Sequence, residues 1–117
     1  MVIMELNDFK PLISEIVLYI SEGRYDEVQG FLMKNGRLTL DTLRKEVEAF
    51  RGNYKVLPAS EKAFVGAKIL KTFSRNVSSV YLTLFTEEEG AEEMSIGLYC
   101  GYMNDRPVVM IHNLMLQ

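Results

Sequence analysis

VSSVYLTLFTEEEGAEEMSIGLYC, residues 77–100, decides the fold. Before the acidic run, Val80, Leu82 and Leu84 fall on one side of an extended chain and Tyr81, Thr83 and Phe85 on the other. After it, Met94, Ile96, Leu98 and Cys100 alternate with Ser95, Gly97 and Tyr99. A period of two on both sides of a short polar link predicts two antiparallel strands, each with one buried face. The link, TEEEGAEE, holds five carboxylates: Glu87, Glu88, Glu89, Glu92 and Glu93.

Outward from the hairpin, PVVMIHNLML (107–116) is apolar on both faces, as a central or doubly covered strand would be. NDR at 104–106 is its polar turn, and SRN at 74–76 a second. KAFVGAKILKTF (62–73) reads as a strand of imperfect alternation. The first half of the chain has the other period. Phe9, Leu12, Ile13, Ile16, Val17, Tyr19 and Ile20 recur near helical spacing, with Asn7 or Asp8 as cap, Pro11 in the first turn and Gly23 as stop. RYDEVQGFLMKNG predicts a shorter helix with Tyr25, Val28, Phe31 and Leu32 inward, ended by Asn35-Gly36. In RLTLDTLRKEVEAFRG, Leu40, Leu43, Val47 and Phe50 make one stripe, Thr39 is the candidate N-cap and Gly52 lies past the end. NYKVLPASE, with Pro58, is the crossover from helices to sheet. The expectation is a single α+β domain over 1–117, helical at about 7–52 and sheet at about 61–116. Its helices would pack on one face of a curved four-stranded antiparallel meander, of the cystatin-like or nuclear-transport-factor-2-like kind.

Composition narrows the function classes. The 117 residues suit one core, and 13 basic against 16 acidic residues leave a net charge of −3. That balance argues against a nucleic-acid binder, which normally carries a basic stripe. Cys100 is the only cysteine, so no intrachain disulfide forms. With no signal-like N-terminus and no long apolar run, a cytoplasmic protein without a membrane span is expected.

No catalytic motif is visible: there is no P-loop, GxSxG or GxGxxG. The glutamate run lacks the order of a calcium loop and the opposed placement of a glycosidase pair, so no metal, cofactor or catalytic residue is assigned to it. Two readings stand: a solvated turn that keeps the strands soluble, or a docking surface for a basic partner. Tyr102, Asn104 and Asp105 would join that surface if their turn lay beside the cluster. His112, read as alternating with Met110 and Leu114, is the only histidine. With Tyr81 and Tyr99 it would line a polar pocket if the sheet were a cone, but the strands offer no Asp base for an isomerase. Cys100 reads as a buried small hydrophobe. Met103, Met110 and Met115 would make a contact surface, or a homodimer face, if one side of the sheet were open.

Two stretches together resemble a family of small bacterial domains of unassigned function: GRLTLDTLRKEVEAFRGNYKVLP (36–58) and YLTLFTEEEGAEEMSIGLYC (81–100). The shared marks are a helix starting near R-L-[ST], an LP exit and a T-E-E-E-G turn before an alternating strand. VVMIHNLML is similar to that family's closing strand. Phe85 stands where tryptophan is frequent. The resemblance brings no catalytic residue. Such small acidic domains are also similar to immunity proteins of contact-dependent inhibition and other polymorphic toxin systems. That likeness implies a non-enzymatic protein whose partner is a cognate, basic toxin domain, held by Glu87, Glu88, Glu89, Glu92 and Glu93. The alternatives are a small-molecule or isomerase-type pocket protein and a homodimerising module.

Overall fold

The strand periodicity closes into a meander. In the computed structural model, which describes residues 5–71, 77–88 and 93–116, four strands pair antiparallel in chain order: β1 (Lys68–Lys71), β2 (Val77–Leu84), β3 (Met94–Met103) and β4 (Arg106–Leu116). Four helices precede them: α1 (Leu6–Ser21), α2 (Tyr25–Val28), α3 (Leu40–Arg51) and α4 (Glu61–Val65), with a 3-10 turn at Gln29–Phe31. The protein is α+β.

One hydrophobic cluster joins the layers. Phe9, Ile13, Ile16, Val17 and Ile20 of α1, Leu43 and Val47 of α3, and Phe64 of α4 meet Val80, Leu82, Leu84, Ile96, Leu98, Cys100, Val109 and Ile111 of the sheet. Each large side chain buried there contributes roughly 1.5–3 kcal/mol. Tyr25 ties α2 to α3 by donating its hydroxyl to Glu48 at 3.0 Å. Burial first, then that bond, pushes its phenol up to about 12.

Local chemistry sets the helix ends. Thr39 caps α3 by accepting from the Thr42 N–H at 3.1 Å. Ser60 does the same for α4 from Ala63 at 3.4 Å. Residues 61–65 are therefore helix and not the start of a strand, and β1 begins only at Lys68. At α1, Glu5 occupies the cap position without a side-chain bond. Asn7 and Asp8 lie inside the first turn, and Pro11 lies one turn further in than the sequence suggested. Asp8 instead accepts the Tyr102 hydroxyl at 2.6 Å, while the rings of Phe9 and Tyr102 stand 5.1 Å apart. The second predicted helix breaks into α2 and the 3-10 turn at the position of Gln29-Gly30. Asn35 (φ 62°) ends that region in the left-handed conformation Asn tolerates.

β4 differs from its expected reading. It is an edge strand, and a β-bulge explains why both its faces look apolar. Gly97 pairs with Asn113 but Leu98 pairs with Ile111, which leaves His112 as the extra residue. Before the bulge, Val109 and Ile111 point to the core; after it, Leu114 does. A single added residue reverses the facing of everything downstream. His112 therefore shares the outer face with Met110 and not with Leu114.

Candidate functional site

The turn at the β2–β3 end is built by backbone bonding to the crossover. Val56 bridges Thr86, the Leu57 N–H donates to the Phe85 carbonyl at 2.8 Å, and the Glu87 N–H donates to the Lys55 carbonyl at 3.0 Å. The Glu87 carboxylate accepts the Lys55 N–H at 2.9 Å. Glu87 is thus engaged in holding residues 55–57 against the end of β2. Glu88 and Glu93 are exposed. Glu89 and Glu92, two of the five expected contact glutamates, lie outside the described residues.

Tyr102, Asn104 and Asp105 do not join this surface. The β3–β4 turn sits at the opposite end of β3, whose ten residues span about 30 Å. Consecutive turns of a meander must lie at opposite sheet ends. Asn104 and Asp105 form the two-residue loop of the hairpin, both at positive φ (53° and 62°). That is the type I′ arrangement, whose twist matches the strands it joins. Tyr102 faces α1, and its bond to Asp8 raises its phenol above the ordinary value.

Tyr81, Tyr99 and His112 do come together, on the face turned away from the core. The His112 ring stacks on Tyr99 at 4.0 Å between centroids and meets Tyr81 edge-on at 5.7 Å. Gly97 lies beneath: a Cβ there would be 2.9 Å from His112 Cε1 and 3.0 Å from Tyr81 Cε1. The three rings pack on one another over Gly97, outside the helix–sheet core. Burial holds the His112 imidazole below its ordinary 6.5, and its Nε2 has no hydrogen-bond partner among the described residues. Met103, Met110 and Met115 share this face by register, with Met103 and Met115 exposed.

Cys100 is fully buried, and desolvation pushes its thiol up to about 12. It has no thiolate to offer at neutral pH. Among the described residues, no group of three His, Cys, Asp or Glu is placed to hold a metal ion, and no helix is long and apolar enough to cross a membrane.

Two depressions among the described residues bear on function. The larger, about 910 Å³, lies between residues 29–36 and the start of α3. It carries Lys34 and Asp41, charges of both signs. The second, about 550 Å³, was not foreseen from the sequence. It runs between α3 and the end of the sheet where the acidic turn lies. Ala49, Phe50, Met94, Leu114 and Leu116 supply its apolar lining, and Glu46 and Glu88 are its only charges among the described residues. The signal missed was Glu46, which lies four residues before Phe50 on α3 and so on the same helical side. Comparison with family models, curated proteins and solved structures finds no match to this chain.

Proposed function

We propose that this chain is a non-enzymatic protein-binding domain, an immunity protein that neutralises a basic toxin domain. One observation carries the reading: exposed Glu88 and Glu93 stand without an ion-pair partner among the described residues, at the same end of the sheet as an apolar groove whose charged lining, among those residues, is Glu46 and Glu88. Unpaired carboxylates beside apolar surface speed association with a basic partner and select against an acidic one. Glu87 contributes by fixing the turn's position against Lys55. The partner is a protein, and the site of action is the cytoplasm, where a toxin domain would be met.

The test is capture of the partner from the native bacterium at low and high salt, followed by growth of cells expressing the captured domain with and without this chain. The expected result is one basic protein, released by salt, that is toxic alone and harmless beside this chain. Reversing the charge of Glu88 and Glu93 should slow association at low salt and flatten its salt dependence. A captured protein that is harmless alone, or is held equally by the charge-reversed variant, would overturn the proposal.

A further inference from the structure

The groove between α3 and the end of the sheet has a charge pattern that specifies its occupant. On α3, Asp41 is ion-paired with Arg44 at 2.7 Å and Lys45 at 3.1 Å, and Glu48 with Arg51. Glu46, the α3 carboxylate at the groove, has no cation among the described residues. Across the gap Glu88 has none either. Phe50, Met94 and Leu114 line the same groove, with Leu116 62 % exposed beside them. An unpaired carboxylate on each side and an apolar floor match a side chain with an aliphatic stem and a cationic head. Arginine fits best, because its planar fork can bond carboxylate oxygens while its stem lies on Phe50 and Leu116.

We infer that this groove is a docking site for a basic, apolar-flanked segment of a partner protein, with an arginine inserted between Glu46 and Glu88. The inference rests on the protein-binding reading above and adds the recognised chemistry. Glu46, on a helix, is preset by α3; Glu88 follows Glu87, whose bonds to Lys55 hold the turn. The backbone carrying each carboxylate is therefore placed before the partner arrives, which lowers the ordering cost of binding.

The experiment uses the whole chain, isotopically labelled, and a short amphipathic leucine–arginine peptide as probe. A leucine–glutamate peptide of the same pattern is the control. Amide shifts should concentrate at Glu46, Ala49, Phe50, Leu114 and Leu116. Glu46→Lys with Glu88→Lys should weaken the arginine peptide by about tenfold or more. Asp26→Lys with Glu27→Lys, equal in charge change but on α2, should leave affinity within about twofold. Equal weakening by the α2 pair, shifts centred elsewhere, or equal binding of the glutamate peptide would overturn the groove. A captured toxin neutralised as well by the Glu46→Lys, Glu88→Lys variant as by the native chain would also overturn it, while leaving the immunity reading standing. Failure to capture a toxin, with the peptide mapped to the groove, would have the opposite meaning.

Discussion

At Gly97 the outer face of the sheet has no room for even a methyl group. An added Cβ would stand 2.9 Å from His112 Cε1, 3.1 Å from its Nε2 and 3.0 Å from Tyr81 Cε1. Both rings are held, Tyr81 by its strand and His112 by stacking on Tyr99. Gly97→Ala should therefore destabilise the protein by about 1–3 kcal/mol in urea unfolding. Adding His112→Ser should return part of that loss, and strict additivity of the two changes would refute the steric account. His112 also gives stability a pH dependence. Burial lowers its folded pKa, so the unfolded chain binds the proton more readily. Stability from this group is complete above the ordinary 6.5 and declines as pH falls below it, until the folded imidazole protonates too. Urea midpoints of native protein and His112→Gln, compared above and below about pH 6.5, should converge on acidification. An unchanged gap would show that folding does not perturb the imidazole.

At the scale of elements, what the sequence reveals is what local period and local capping encode. The β2–β3 hairpin, α1 and α3 follow their periodicity, and Thr39 caps α3 as its position predicts. The acidic link is a connection between strands, but its anchoring is invisible in sequence, because Lys55 and Glu87 are 32 positions apart. Two errors have definite physical sources. Residues 61–65 look strand-like until Ser60 is recognised as a cap whose helix lasts barely one turn. β4 looks doubly buried because a bulge at His112 shifts its phase, and a phase shift mimics an apolar strand without alternation. The bulge, with the bridge from Leu32 to Ile111, also breaks up an otherwise long open edge. The opposite edge, β1, is only four residues long and carries exposed Lys68. The Asn104-Asp105 turn keeps one non-glycine residue more in the left-handed region than its type requires. Asp105→Gly should raise stability by about 0.5–1 kcal/mol, read as a higher urea midpoint at unchanged slope. A lower midpoint would mean that the Asp105 side chain supports the turn in a way its φ of 62° does not reveal.

Across the whole molecule, the helices and the sheet share one core, and Cys100 sits inside it on β3, between β2 and β4. That position makes the sole thiol a reporter of cooperativity. It has no solvent exposure, and desolvation holds it at about 12, so a reagent that needs thiolate meets none in the closed protein. Labelling must wait for an opening that frees the middle of the sheet. Freeing β3 breaks its ladders to β2 and β4 and removes Ile96 and Leu98 from the core that the helices share, so that opening should be global. A chromogenic disulfide reagent should therefore label Cys100 negligibly in native buffer, with a rate that climbs with urea in step with the unfolding equilibrium. Gly97→Ala should speed labelling and Asp105→Gly slow it, each by the factor by which it changes that equilibrium. Fast labelling insensitive to urea would show that β3 opens locally. The groove formed by Met94 and Leu114 at its end would then be remade with each opening, and could not present Glu46 and Glu88 in fixed positions to a partner.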